Sequence, residues 1–278
     1  MGSSLGAIVD RDGAPATGVT VAKPSTDYPT VSVVIPVYNE RATVEEILRR
    51  VEAVPLQKEI ILVDDASTDG TRELLQRLAA ASGNGRAGPQ TAASPPVREG
   101  SPLRVLFHER NKGKGAALRT GFGLARNEVI IVQDADLEYD PQDYFTLLDP
   151  IRRGLADVVY GSRFHGGPHR VLYFWHFVAN KFLGVLSGIL TNLNLADVWT
   201  CYKVFPRSIL QRIQLQEDRF GFDVEITAKL AKIGCRIYEV PISYYGRTYG
   251  EGKKITWKDG VRSVWQILKH NLLSRPGR

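Results

Sequence analysis

Three short stretches, Val31-Ser-Val-Val-Ile-Pro36, Glu59-Ile-Ile-Leu-Val63 and Val129-Ile-Ile-Val132, are apolar almost without interruption, and two of them run straight into Asp64-Asp65 and Gln133-Asp134. A half-exposed strand alternates apolar and polar side chains, whereas a strand apolar at nearly every position is covered on both faces. Between them, 43–53 place Val44, Ile47, Leu48 and Val51 on one helical face, and Ser67-Thr-Asp-Gly-Thr71 supplies caps for a helix through Leu78. Strand–helix–strand alternation of this kind gives an α/β fold: a mostly parallel, Rossmann-like sheet with helices on both faces. Such sheets receive ligands at the carboxyl ends of their strands.

The pattern resumes at 103–108 (strand), 116–125 (helix) and 129–132 (strand), with later elements at 157–160, 204–205, 224–233 and 236–240. It is broken at 81–102, where 22 residues rich in Gly, Pro, Ala and Ser predict a mobile insertion loop. Residues 1–29 lack periodicity and predict a flexible tail, and no apolar run follows Met1 as a signal peptide would require. One domain over 30–250 is expected, followed at 251–278 by a basic amphipathic segment, a helix or helix pair over 255–273. The formal net charge of +6 is concentrated from Arg247 to Arg278, where eight Lys/Arg face Glu251 and Asp259. A basic end of this kind faces phosphates, anionic lipid or nucleic acid, and charge alone does not choose among them. Cys201 and Cys235 provide neither a disulfide framework nor zinc spacing, which favours a reducing, cytoplasmic compartment. The greasy stretch 171–195 is interrupted by His176, Asn180, Lys181, Asn192 and Asn194, so it predicts a surface-lying or buried helical pair rather than a membrane span.

Chemistry concentrates where strands end. Pro36-Val-Tyr38-Asn-Glu40 follows the first strand and Asp64-Asp65 the second. An aromatic ring with neighbouring carboxylates can stack on a base and accept hydrogen bonds from ribose hydroxyls, although each acid taken singly is also a good helix cap. Asn111-Lys-Gly-Lys-Gly115 lets backbone approach a ligand closely, with Lys112 or Lys114 to meet negative charge, and its spacing is not that of an NTPase P-loop. Gln133-Asp134-Ala-Asp136-Leu-Glu138 sets two carboxylates at i, i+2 directly after an apolar strand. Mg²⁺ or Mn²⁺ takes oxygen ligands of this sort, usually one or two carboxylates plus substrate phosphates. The competing reading is a cap or a turn into Asp140-Pro141.

Taken in order, Pro36-Val-Tyr-Asn-Glu40, Asp64-Asp-Ala-Ser-Thr-Asp-Gly70, Asn111-Lys-Gly-Lys-Gly115, Asp134-Ala-Asp136 and Gly161-Ser-Arg163 resemble the motifs of family 2 glycosyltransferases of the GT-A fold. The likeness is greatest to the dolichol-phosphate mannose synthase and polyprenyl-phosphate glycosyltransferase branch, and runs from about residue 31 to 268. The resemblance implies that Pro36, Tyr38, Glu40, Asp65 and Lys114 meet the donor. It implies further that Asp134 and Asp136 hold a metal and the diphosphate, with Glu138 as a further ligand where relatives often carry Gln. Arg163 then faces a phosphate of acceptor or donor, Arg247 and Lys253 form the basic pair of a loop that closes on the diphosphate, Asp197 lies beside the reacting centre, and Glu225 lines the acceptor side. Asp136, Asp197 and Arg163 are the expected catalytic group.

The implied activity is inverting, metal-dependent transfer from a nucleotide-sugar, GDP-mannose or UDP-hexose, to a polyprenyl or dolichyl phosphate, with Mg²⁺ or Mn²⁺ as cofactor. A phosphate acceptor is anionic near neutral pH and needs no general base. The alternative is a soluble or polysaccharide hydroxyl acceptor, with Asp197 as base. Ile255, Trp257, Val261, Val264 and Trp265 interleave with Lys258, Arg262 and Lys269, a mixture that suits either a membrane interface or packing on the domain. Attachment is therefore expected to be peripheral, on the cytoplasmic membrane face, or through a separate membrane protein. Trp175, Trp199, Trp257 and Trp265 read as core or interfacial anchors. A nucleic-acid module is disfavoured because no aromatic RNA-binding motif accompanies the basic residues. A nucleotidyltransferase is disfavoured because no Gly-rich, basic loop follows the first strand.

Overall fold

The computed structural model describes residues 27–81, 102–166, 170–171, 173–248 and 257–274. Its frame is one seven-stranded sheet, ordered β3-β2-β1-β4-β6-β5-β7. The strands are β1 (Val31–Val37), β2 (Lys58–Asp64), β3 (Leu103–Phe107), β4 (Val129–Val132), β5 (Val158–Ser162), β6 (Lys203–Pro206) and β7 (Ile237–Pro241). All run parallel except β6, which is antiparallel to both β4 and β5. β2 and β4 are buried along their whole length, as their unbroken apolar runs require. Truncating one such residue, Ile61→Ala, would cost about 2–5 kcal/mol in lost burial and residual cavity.

The order decides where a ligand goes. The chain lays β2 and β3 on one side of β1, then crosses to place β4 on the other. The loops after β1 and β4 therefore diverge, and a crevice opens between them at the carboxyl ends. Helices α1 (Val44–Ala53), α2 (Thr71–Ala81), α3 (Lys114–Leu124) and α4 (Tyr144–Arg152) make the crossovers that cover the sheet. α3 lies unusually close to β1, because a Cβ on Gly121 would sit 2.3 Å from Val34 Cγ1.

The 171–195 stretch forms one 18-residue helix, α5 (Phe174–Thr191), not the expected pair. It is not interrupted at Asn180-Lys181 because the lysine finds a place on the surface, its Nζ 4.9 Å from the Phe164 ring centroid. Asn192, in the left-handed region at φ 56°, ends the helix. After the short α6 (Arg207–Leu210) come α7 (Phe222–Lys232) and α8 (Trp257–Leu268), which passes into a π-helical turn at Lys269–Leu273. Leu183 of α5, Val224 of α7 and Ile267 of α8 share a second small core, so the C-terminal helix packs onto the domain. No described helix is long and apolar enough to cross a membrane. Most of the tail expected over 1–29, most of the insertion expected over 81–102, and 251–256 lie outside the described residues.

Candidate active site

The loops after β1 and β2 are braced against each other. Asn39 N–H donates to Ser67 Oγ (2.9 Å), Glu40 N–H to Thr71 Oγ1 (3.1 Å), and Thr68 N–H to Asn39 Oδ1 (2.8 Å). Asn39 and Ala66 take positive φ, 54° and 61°, to make the two turns. Tyr38 is left exposed at the crevice mouth, while Pro36 is half-buried in β1.

Asp65, expected on the donor, faces inward. Its carboxylate accepts from Lys112 N–H (2.8 Å), Gly113 N–H (2.6 Å) and His108 Nδ1 (2.7 Å). It thus holds the glycine-rich loop, because a buried carboxylate takes the backbone donors within its reach. Gly113, at φ +101°, and Gly115 are required there by close approach: added Cβ atoms would meet Asp218 O at 2.4 Å and Glu217 O at 2.2 Å. The loop so placed carries Lys114 to Asp134, Nζ to Oδ1 2.6 Å. Burial opposes the charged ammonium of Lys114, but the Asp134 carboxylate outweighs it and holds that lysine's pKa above the ordinary range.

Around the end of β4 the structure brings Glu40, Asp134, Asp136, Glu138, Lys114 and Arg247 together. Arg247 Nη2 lies 2.7 Å from Asp136 Oδ2 and 3.3 Å from Glu40 Oε1. Its backbone N–H donates to Glu138 Oε1 at 2.7 Å, and Tyr244 Oη donates to Glu138 Oε2 at 3.1 Å. Burial, together with the charges of Asp134 and Glu138, pushes the Asp136 carboxyl up to about 7 against the pull of Arg247. Asp134, Asp136 and Glu138, the expected metal set, each have a cation or an N–H donor of this chain as partner. Among the described residues no three His, Cys, Asp or Glu side chains converge to hold a metal ion. Lys114 draws Asp134 aside, and the Tyr244–Arg247 segment engages Glu138. The all-oxygen pair Asp134 and Asp136 still fits a hard divalent cation, since Mg²⁺ commonly uses one or two carboxylates beside substrate phosphates.

Arg163, at the end of β5, is locked to Asp197 by Nε–Oδ2 (2.6 Å) and Nη2–Oδ1 (2.7 Å), with its own N–H also on Oδ2 (3.2 Å). Its guanidinium stacks 5.1 Å from the Tyr244 ring centroid. Burial disfavours the Arg163 charge, and Asp197 more than restores it. Asp197 is only 2% exposed. It is placed by Glu239, whose carboxylate accepts from Ala196 N–H (2.8 Å) and Asp197 N–H (2.9 Å). Glu225, expected on the acceptor side, is fully buried and accepts from Gln216 N–H (2.8 Å), Glu217 N–H (2.8 Å) and Lys229 Nζ (2.8 Å). It shapes the 216–219 turn on which Gly113 and Gly115 rest, because a buried carboxylate at the start of α7 satisfies backbone donors left unpaired in that turn. Lys253 lies outside the described residues.

His108, Tyr139, Tyr244, Glu239 and Cys201 were not singled out from the sequence as site residues. Tyr139 and Tyr244 pair across the crevice wall in an isolated β-bridge, their rings 5.4 Å apart. The Cys201 thiol underlies the acids, its Sγ 3.8 Å from Val132 O. Only Tyr244 carried a local signal, three residues before Arg247 in a run of aromatic and basic residues.

The crevice between the ends of β1 and β4, with an aromatic side chain after one strand and acids after the other, lies where mostly parallel α/β sheets receive ligands, and the sheet is GT-A-like. Residues 32–214 match the model of the glycosyl transferase family 2, and the chain belongs to that family of glycosyltransferases. It is 32% identical over 241 residues to the polyprenol monophosphomannose synthase of Mycolicibacterium smegmatis, with 83% of each chain covered. To the undecaprenyl-phosphate mannosyltransferase of Micrococcus luteus it is also 32% identical, over 231 residues, covering 80% of this chain and 86% of the relative. Among solved structures, the glucosyl-3-phosphoglycerate synthase of Mycobacterium tuberculosis, in complex with Mn²⁺, uridine diphosphate and phosphoglyceric acid, superposes with a TM-score of 0.62. That likeness covers 90% of this chain and 81% of the other at 17% identity, and concerns the fold.

Proposed function

We propose that the protein transfers a sugar, with inversion, from a nucleotide-sugar such as GDP-mannose or a UDP-hexose to a polyprenyl phosphate. The observation that carries the choice of acceptor is the state of Asp197. Both of its oxygens are spent on Arg163, so the acid best placed to serve as a general base is a counter-ion instead. A phosphate nucleophile needs no base, whereas a hydroxyl does. Two relatives named for polyprenol or undecaprenyl phosphate, each matched over most of its length, support the same acceptor.

On this reading Tyr38 stacks on the base and Glu40 receives ribose hydroxyls. Arg163, oriented by Asp197, meets a phosphate. Lys114 and Arg247 stand ready to neutralise charge on the departing diphosphate. Asp134 and Asp136 would hold Mg²⁺ or Mn²⁺, which supplies further positive charge to the leaving group when bound. A phosphate-bearing lipid sits at a membrane surface, and the exposed apolar faces of α5 and α8 support contact with one. Phe174, Trp175, Phe182, Val185 and Ile189 of α5 are exposed, as are Val261 and Trp265 of α8, with Arg262 beside them. A helix apolar on its outer as well as its inner face calls for a cover, and a mixed apolar and basic face suits an anionic bilayer at the cytoplasmic side.

The test is to supply the protein with a short polyprenyl phosphate in vesicles and, in turn, GDP-mannose and UDP-hexoses with Mg²⁺ or Mn²⁺. The expected result is lipid-linked sugar formed at the rate at which nucleoside diphosphate is released. Transfer solely to hydroxyl acceptors, or no lipid product with any donor, would overturn the proposal.

A further inference from the structure

Arg247 stands where a cation must enter. Besides its contacts to Asp136 and Glu40, its Nε sits 3.5 Å from Glu138 Oε1, yet that Nε is buried and makes no hydrogen bond. The guanidinium, lying among three carboxylates, is hydrogen-bonded to Asp136 and Glu40 through its Nη atoms, while its Nε is left unsatisfied. Its segment is anchored separately: Tyr245 N–H donates to Glu138 O (2.8 Å), alongside the Tyr244 hydroxyl and the Arg247 backbone N–H, which both donate to the Glu138 carboxylate. The side chain can therefore change partners while its backbone stays in place. Lys114 plays the matching part on Asp134. Each acid of the pair after β4 carries its own internal cation.

We infer that Arg247 is an internal counter-ion that keeps free divalent cations off the Asp134–Asp136 pair until a diphosphate arrives to receive it. The inference rests on the nucleotide-sugar reading. A metal ion entering alone must displace Arg247 from Asp136 and Glu40, leaving the guanidinium with Glu138 alone in a partly buried crevice, which is costly. A nucleoside diphosphate removes that cost by offering the arginine a second anion, and the planar guanidinium suits phosphate oxygens. Metal and diphosphate then bind with positive coupling, each raising the affinity for the other by the same factor. The acids are spared unproductive occupation by metal, and the cation site becomes complete only when the leaving group is present.

The experiment titrates Mn²⁺ into the full chain and follows the EPR signal of free Mn²⁺, first without nucleotide and then with UDP and with GDP separately. Wild type is expected to bind Mn²⁺ roughly tenfold more weakly without nucleotide than R247Q does, and to tighten by roughly tenfold when the matching diphosphate is added. R247Q is expected to show little of that tightening. R247K keeps the charge but lacks the planar fork that spans Asp136 and Glu40, so its nucleotide-free affinity is expected between the two; it decides the matter if R247Q does not fold. Nucleotide-free affinities within twofold across the folded variants, with nucleotide-promoted Mn²⁺ binding intact in wild type, would overturn the inference and leave the nucleotide-sugar reading standing. If neither diphosphate promotes Mn²⁺ binding to wild type, that reading fails and the inference falls with it.

Discussion

Replacing Asp197 by alanine separates a counter-ion from a catalytic base. The residue is 2% exposed and receives three hydrogen bonds from Arg163, two from the guanidinium at 2.6 and 2.7 Å. Removing one partner of a buried ion pair leaves the other charge uncompensated, at a cost of about 3–5 kcal/mol. For a chain of 278 residues, that corresponds to a fall in melting temperature of roughly 5–9 °C. Asp197→Asn keeps the shape and one acceptor oxygen and should lose about half as much. The double variant Arg163→Met/Asp197→Leu removes both charges and should recover most of the stability while losing transfer. Urea and thermal unfolding followed by circular dichroism, arranged as a double-mutant cycle, measures the coupling. A loss below about 1 kcal/mol for Asp197→Ala, within the range of exposed pairs, would refute the buried-pair account. So would an Asp197→Asn protein that is fully stable and fully inactive, because a catalytic base alone behaves in that way.

Gly115→Ala would drive a methyl to 2.2 Å from Glu217 O; a loss of about 1–3 kcal/mol in urea unfolding is expected, with weaker nucleotide binding by calorimetry. Gly121→Ala, 2.3 Å from Val34 Cγ1, should destabilise by a similar amount, and Val34→Ala in the same protein should return part of it; simple additivity would show that the helix–strand approach is not what limits position 121. Burial lowers the Lys58 amine to about 8, against a smaller opposing effect of Glu52. Between about pH 8 and the ordinary lysine value near 10.4 the unfolded chain therefore binds more protons than the folded one, so stability should rise with pH across that window, and Lys58→Met should flatten the rise in pH-dependent melting. Trp175 and Trp265 are 77% and 60% exposed; changing both to Ser should weaken co-sedimentation with anionic vesicles by at least roughly tenfold without lowering the melting temperature.

The central strands were legible because burial on both faces leaves a continuous apolar run, and β4 falls at 129–132 as the sequence implies. The strand order was not. Nothing local in Lys203–Pro206 says that this short segment inserts antiparallel between β4 and β5. Site residues at strand ends could be picked out for the same reason as the strands, yet their partners could not. Asp65 and Glu225 are acids whose type suits a ligand, but each is consumed by backbone N–H groups brought near by folding, the glycine-rich loop in one case and the 216–217 turn in the other. The Arg163–Asp197 pair joins residues 34 apart and the Arg247–Glu40 pair residues 207 apart. Separations of that size are set by the sheet order and leave no periodicity to read.

The claim on which all of this turns is that the acids after β4 meet a diphosphate through a divalent cation. Crystals grown with Mn²⁺ and UDP or GDP, measured for the anomalous signal of manganese, test it most directly. The expected result is one strong peak beside the Asp134 and Asp136 carboxylates and the bound diphosphate, with the Arg247 guanidinium moved onto the diphosphate. Nucleotide bound away from the crevice between β1 and β4, or bound there with no manganese at those acids, would contradict it.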